Sequence, residues 1–179
     1  NAALDLSSCL LFALNEHTNI EEAKVFFQQN AAQDIGLISE SGCPCVADPG
    51  REIVALAHQE GREVIPLIGP SSIILALMAS GLNGQNFAFN GYLSREKGER
   101  IKQIKGLETR VLQEGQTQII MEAPYRNESL FADILAACGP QTRVCVAVDL
   151  TGPAQLIKTL TVKEWKNQPL TIDKQPALF

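Results

Sequence analysis

The run from Ile35 to Arg51, IGLISESGCPCVADPGR, limits what this chain can fold into more than any other stretch. Ile35 to Ile38 has the length and composition of a short strand. Gly42, Pro44, Pro49 and Gly50 then exclude continuous helix or strand from Ser41 to Gly50. A helical pattern resumes at Arg51. A strand that ends in a Gly/Pro turn and restarts as a helix is a building unit of α/β sheets, whose ligands bind at the carboxyl ends of the strands.

The segments around this turn continue the pattern. Glu21 to Gln33 reads as a helix with Ala23, Phe26 and Phe27 on one face, and Arg51 to Gln59 as a helix closed by Gly61. Arg62 to Leu67 is a Val/Ile-rich strand, and Ser71 to Ser80 a strongly apolar helix that starts after a Gly-Pro. This order, β-loop-α-β-α, predicts a parallel sheet. Gly81 to Gly91, with Asn83, Asn86 and Asn90 interspersed, is the best linker and divides the chain into domains 1–85 and 86–179. Beyond it the pattern predicts a charged helix from Arg95 to about Gln113, a strand from Gln118 to Glu122 and a helix from Asn127 to Cys138. Strands follow at Arg143 to Asp149 and Leu156 to Val162, with a last apolar run at Ala177 to Phe179.

Composition narrows the class. Apolar residues make up 45% of the 179, enough for a buried core, and no apolar run approaches the roughly 18 residues of a membrane span. The reading is a soluble, cytoplasmic protein. Five cysteines without framework spacing argue against a disulfide scaffold, and Cys43-Pro44-Cys45 with two distant histidines does not make a zinc site, so no metal is expected. The net charge of -5 argues against a surface that binds nucleic acid everywhere. The exception is local: Arg95 to Arg110 carries six basic residues against three acidic ones, which reads either as a solvated helix face or as a phosphate-facing patch.

Several segments match a known pattern in order along the chain. The Ile35–Arg51 turn resembles SDAGTPxxSDPG, and LFALNEHTN from Leu11 resembles LxxxHEHN. PLIGPSS from Pro66 resembles PxPGPSA, FAFNGYL from Phe87 resembles FxFEGFL, and MEAPYR from Met121 resembles YESPHR. The chain thereby resembles the ribosomal RNA small-subunit methyltransferase I family, a branch of the tetrapyrrole (corrin/porphyrin) methylase superfamily. The resemblance implies two α/β domains of the tetrapyrrole methylase type with S-adenosylmethionine in an interdomain cleft. A first strand, a TPIGN-type loop and an EDTR-type segment that precede the matched part in that family are not in this sequence, and Phe179 falls inside what reads as a final strand. The expectation is a fragment whose first domain lacks its N-terminal elements.

The turn chemistry suits such a cofactor, because Gly and Pro turns expose N–H and C=O groups with little steric bulk. In this turn the role falls to Ser41, Gly42, Cys43 and Pro44. The resemblance carries further contacts over to Met121, Leu150, Thr151, Pro176 and Ala177. Asp149-Leu150-Thr151-Gly152 resembles ELTK, with Gly152 in place of the lysine. Candidate catalytic groups are Asp48, Glu122 and His17, any of which can take a proton from an acceptor hydroxyl. Each also has a structural reading: Asp48 as the cap of the helix after Gly50, Glu122 as the partner of Arg126, His17 as a surface residue. Neither GxGxxG, GxxxxGK[ST] nor HExxH occurs.

What the resemblance implies is 2'-O-methylation of a ribosomal RNA nucleotide by a homodimer acting on the small-subunit particle or its RNA. Two alternatives stay open: methylation of a tetrapyrrole or other small molecule, and a catalytically degenerate cofactor-binding module. Glu40-Ser41-Gly42-Cys43, where Asp-Ala-Gly-Thr is expected, and Tyr125, where His is expected, are the departures that keep them open.

Overall fold

The computed structural model describes residues 9–15, 17–168, 170–172 and 174–179. The chain divides into two compact units, Asn1–Pro70 and Ser71–Phe179.

In the first unit, α1 (Ile20–Gln29) starts where the Asn19 side chain accepts the Glu21 N–H, with Glu21 and Glu22 at the positive end of the helix dipole. It stops at Asn30, whose side-chain amide donates to the Phe26 carbonyl. Helix α2 (Arg51–Gln59) follows Gly50, whose φ of 128° is left to glycine, and where a Cβ would lie 2.6 Å from a Leu37 methyl. The helices meet through Phe27, Leu56 and Ala57, with Ile35, Ile53 and Val64 packed around them. The Arg62 guanidinium lies 4.8 Å over the Phe27 ring and donates to the carbonyls of Ala31 and Gln33.

The strands expected at Ile35–Ile38 and Arg62–Leu67 do not form ladders. No strand occurs in the first unit among the described residues, so the parallel sheet expected there is corrected. The first segment and the start of the second keep a strand's alternation in burial: Ile35 and Leu37 are turned in while Ile38 faces out, and Val64 is turned in while Ile65 faces out, after which Leu67 is exposed too. Side-chain pattern selects the face, but a ladder needs a hydrogen-bonded neighbour, and the described residues supply none.

The second unit is a sheet with helices on both faces. Helix α3 (Ser72–Ser80) ends at Gly81 in the left-handed region. Strands β1 (Phe87–Phe89) and β2 (Thr117–Ile119) pair in parallel, with Phe87 opposite Thr117. After β2, Ile120 exchanges two main-chain hydrogen bonds with Phe179, of 2.8 and 2.9 Å, and the run continues as β3 (Met121–Glu122). The single strand expected from Gln118 to Glu122 is thus one run that pairs in parallel on one side and antiparallel on the other. Strands β3, β6 (Ala177–Leu178), β4 (Arg143–Val148) and β5 (Leu156–Thr161) form a wholly antiparallel sheet in that order. The short return from β4 to β5 agrees with a second half that mixes helix and strand without strict βαβ alternation.

Strand β4, RVCVAV, is buried on both faces. Val144, Val146 and Val148 pack with α4 (Lys97–Glu114) and α5 (Asn127–Ala137), whereas Ala147 packs with Ile73 and Ala76 of α3. Because α3 packs on this sheet, the compact division falls at Pro70, ahead of the 85/86 boundary read from the Gly/Asn-rich stretch. The short α6 (Val162–Trp165) begins with a reciprocal capping box between Thr161 and Glu164 and delivers Trp165 edge-on to Phe131, its indole N–H on the Val144 carbonyl.

Arg100 of α4 and Asp133 of α5 form a buried ion pair, the Arg100 Nε 2.8 Å from Asp133 Oδ2. The guanidinium also donates to Ser129 and to the carbonyls of Ser94 and Arg95. Removing one partner strands the other charge. Asp133→Ala is expected to destabilise the protein by about 3–5 kcal/mol in urea denaturation, and the paired replacement Arg100→Met with Asp133→Leu to recover most of the loss.

Glu96 caps α4 by accepting the Gly98 and Glu99 N–H groups, and the Glu99 bond, then the Gly98 bond, holds its carboxyl below the usual carboxylate range. A depressed folded value means that the cap is at full strength above the ordinary carboxylate pKa and is lost as pH falls through the folded one. Carbon-detected NMR titration of the Glu96 carboxyl should show the low midpoint. Thermal stability of Glu96→Gln should lose this component of its acid dependence.

Candidate functional site

The Gly/Pro turn of the first unit is held in a conformation that ordinary residues avoid. Cys45 and Ala47 have φ of 67° and 56°, alongside Gly42 at 77°. Two anchors keep it there. Ser39 Oγ donates to the Ser41 carbonyl and accepts the Ser41 N–H, and the Cys43 thiol donates to the Pro70 carbonyl at 3.1 Å. Cys43 also lies so close to Gly69 that a Cβ there would come within 3.3 Å of the sulfur. The turn and the Gly-Pro of the PLIGPSS segment, far apart in sequence, are therefore in direct contact.

Asp48 sits half-buried in this turn, and it does not cap α2: the N-cap is Gly50, with no side-chain capping bond. Its carboxylate adds to burial and to Glu52 in pushing the Cys45 thiol up, burial being the largest cause, so Cys45 stays a thiol at neutral pH. His17 lies in the turn before α1, exposed, with its main-chain N–H on the Asn15 side chain.

In the second unit the register of β6 assembles three sequence-distant segments. Leu178 lies between Met121 and Ala147, and Ala177 between Glu122 and Val148. One step further the Asp149 N–H donates to the Pro176 carbonyl at 3.0 Å. Met121, Leu150, Pro176 and Ala177 thus come together at one end of the sheet, and Met121 and Leu150 pack on the cluster of Ile73, Ala76, Ile119, Ala147 and Leu178.

The turn after β4 is built around Asp149. Asp149 and Thr151 adopt φ of 47° and 67°. The Asp149 carboxylate accepts the Ala154 N–H at 2.8 Å, its carbonyl accepts the Gly152 N–H at 2.8 Å, and Gln155 Oε1 accepts the Thr151 N–H at 2.8 Å. A Cβ on Gly152 would lie 2.2 Å from Asp149 Oδ1. Gly152, where the resembled segment has lysine, is what lets the carboxylate fold back over the turn. Asp149 and Gln155 were not among the residues singled out from the sequence; the Asp-x-x-Gly spacing is the signal that marks such a turn.

Glu122 is committed to neighbours. Its carboxylate accepts the Ala123 N–H at 2.8 Å and pairs with the Arg126 guanidinium at 2.6 Å, and both side chains are largely shielded. Arg126 also reaches the carbonyls of Leu93 and Ser94 at 3.4 Å. The basic face read on α4 is narrower than its sequence suggests, because Arg100 is buried against Asp133 and Lys102 lies 3.8 Å from Glu99. A cavity of about 20 Å³ behind α3 has room for one water and no larger ligand. No cluster of metal-ligating side chains occurs among the described residues.

Met121 and Leu150 thus offer an apolar floor at this end of the sheet. The family model for Tetrapyrrole (Corrin/Porphyrin) Methylases matches residues 8–166. The chain belongs to the tetrapyrrole methylase family. Within that family, the chain is 36% identical over 137 residues to the ribosomal RNA small subunit methyltransferase I of Synechocystis sp., covering 76% of this chain and 47% of that protein. It is 32% identical over 155 residues to the Vibrio cholerae protein of the same name, covering 86% and 52%. The chain spans about half the length of these relatives. Tetrapyrrole methylases also appear among solved structures of similar fold. The methyltransferase CobJ matches with a TM-score of 0.56 at 16% identity, over 90% of this chain and 70% of that one. Uroporphyrin-III C-methyl transferase from Thermus thermophilus, complexed with S-adenyl homocysteine, matches with 0.50 at 14% identity, over 89% and 71%.

Gly152→Ala tests the turn. The added methyl should displace the Asp149 carboxylate, free the Ala154 N–H and cost about 1 kcal/mol. Amide exchange at Ala154 is the readout, and unchanged protection there would contradict the close approach.

Proposed function

We propose that this chain is part of an S-adenosylmethionine-dependent methyltransferase that acts on ribosomal RNA, with the 2'-oxygen of a small-subunit nucleotide as acceptor. The observation that carries the reading is the identity of 30–36% with several proteins named ribosomal RNA small subunit methyltransferase I, over most of this chain. The convergence of Met121, Leu150, Pro176 and Ala177 at one end of the sheet supports it, because these are the residues the family pattern marks for the cofactor. A solved structure of similar fold holds S-adenyl homocysteine. When bound, S-adenosylmethionine supplies an electrophilic methyl group on a sulfonium centre.

In this proposal Leu150 and Met121 give the cofactor an apolar floor, with Thr151, Pro176 and Ala177 beside them. The turn Ser41–Pro44 is the other segment the family pattern marks for the cofactor, through its backbone groups. Asp48, a half-buried carboxylate not used as a cap, takes the proton of the acceptor hydroxyl, with His17 as the alternative base. Glu122 acts through Arg126: the pair fixes the end of β3 against the Leu93–Ser94 segment and so positions the edge rather than moving a proton. Lys97 and Lys105 meet RNA phosphates, and the enzyme works as a homodimer in the cytoplasm.

Three measurements test this. S-adenosylhomocysteine at one hundredfold its Kd should stabilise the full protein by about 2.7 kcal/mol, and no stabilisation at millimolar ligand would remove the cofactor assignment. Asp48→Asn should leave that affinity nearly unchanged while lowering kcat by about two orders of magnitude or more; unchanged turnover would reduce Asp48 to a structural residue. Mass spectrometry of ribosomal RNA nucleosides from cells with and without the intact protein should show loss of one 2'-O-methylated nucleotide. Cofactor binding with unaltered RNA would instead favour a small-molecule acceptor or a degenerate module.

A further inference from the structure

Beyond β1 and β2 the two parallel chains continue side by side. Asn90 N–H donates to the Ile119 carbonyl at 2.8 Å, and Met121 N–H to the Gly91 carbonyl at 3.0 Å. One chain then runs into Tyr92-Leu93-Ser94 and the other through Glu122 into Tyr125-Arg126, where Arg126 reaches back to the Leu93 and Ser94 carbonyls. Leu93 is drawn into the core, whereas Tyr92 is 61% exposed and Tyr125 71% exposed. Neither ring stacks on another aromatic among the described residues. Single exposed aromatics are ordinary. Two of them on adjoining segments beyond the carboxyl ends of parallel strands are not explained by packing.

Charge completes the surface. Arg95 and Lys97 follow directly and are exposed; Arg95 makes no ion pair among the described residues, and Lys97 is only 3.7 Å from Asp133. Glu96, between them, turns its carboxylate onto the Gly98 and Glu99 N–H groups of α4. Exposed rings interleaved with cations are what an unpaired nucleic-acid strand requires, because every base has a face to stack and every linkage a phosphate to neutralise.

We infer that Tyr92 and Tyr125 form a stacking platform for unpaired bases of single-stranded RNA, with Arg95 and Lys97 on the flanking phosphates. The inference rests on the ribosomal RNA reading above and assigns that substrate a docking surface. Duplex RNA, whose bases are already stacked, does not fit it.

The test is binding of a short, fluorescently labelled, mixed-sequence single-stranded RNA to the full protein, with S-adenosylhomocysteine affinity and thermal stability measured alongside. Tyr92→Ala and Tyr125→Ala should each weaken RNA binding about 5- to 100-fold, the range for loss of one base stack. Tyr92→Phe and Tyr125→Phe, which keep the ring, should stay within about twofold of the parent. The double variant Arg95→Ala with Lys97→Ala should lower the salt dependence by about one to two contacts. Cofactor affinity and stability should hold in all of these variants. Phenylalanine variants as weak as the alanine ones would overturn stacking. Unchanged RNA affinity in the combined Tyr92→Ala and Tyr125→Ala variant, with the parent binding normally, would overturn the platform, leave the ribosomal RNA reading intact and assign the tyrosines to a protein contact. No RNA binding by the parent would overturn both.

Discussion

A strand of two residues holds the site end of the second unit together. Ala177 and Leu178 pair with Met121 and Glu122 on one side and with Ala147 and Val148 on the other, and the flanking Pro176 and Phe179 extend the bonding to Asp149 and Ile120. Strand period ensures that a shift of one residue would turn every one of these side chains to the opposite face. It would also move the Pro176 carbonyl away from the Asp149 N–H. The left-handed turn at Asp149 to Thr151 therefore has its origin fixed by a segment nearly thirty residues later. Asn127, fully buried, adds a second tether by donating from its side-chain amide to the Gln175 carbonyl at 2.7 Å.

Charge in this unit is used mostly for construction. Arg100, read from sequence as part of a phosphate-facing helix, spends its guanidinium on Asp133, Ser129 and two carbonyls. Glu122 and Arg126 couple the MEAPYR segment to the residues after FAFNGYL. Glu108 does the same for the end of α5, accepting the Gly139 N–H and the Thr142 hydroxyl while burial, and then Glu108 itself, raises the Cys138 thiol to about 12. Charges that look available in a helical wheel are committed once tertiary neighbours are present. Arg95, Lys105 and Arg110 stay exposed without an ion pair among the described residues, and focused placement rather than net charge decides whether an acidic protein holds RNA.

Legibility followed the physical origin of each feature. Helices were readable within a few residues because their stops are local: Gly50 before α2, Gly81 after α3 and Gly115 after α4 each act through their own backbone. Strand existence was readable in the second unit, where β4 is apolar on both faces, but strand pairing was not. The antiparallel order β3-β6-β4-β5 depends on returns whose direction no local pattern specifies. In the first unit the alternation at Ile35–Ile38 and Arg62–Ile65 was real and the ladder was not, since hydrogen-bonded neighbours lie outside any sequence window. In the candidate site the local contacts were legible and the distant ones were not. Glu122 pairs with Arg126 four residues on, as its spacing suggests, and the Asp149 carboxylate folds over Gly152 within one turn, whereas the Cys43 thiol on the Pro70 carbonyl follows from tertiary placement.

The departures from the family pattern look different once those contacts are known. Cys43 stands where threonine is expected, yet a thiol, like a hydroxyl, is a donor on a short side chain, and it donates to Pro70. Gly152 stands where lysine is expected, and the missing side chain is what leaves space for the Asp149 carboxylate to cap its own turn. Asp149 and Thr151 are held in the left-handed region, where each costs of order 1 kcal/mol or more. The bonds that offset this cost are internal to the turn: the Asp149 carboxylate takes the Ala154 N–H and Gln155 takes the Thr151 N–H, so the conformation is over-determined by the turn's own side chains.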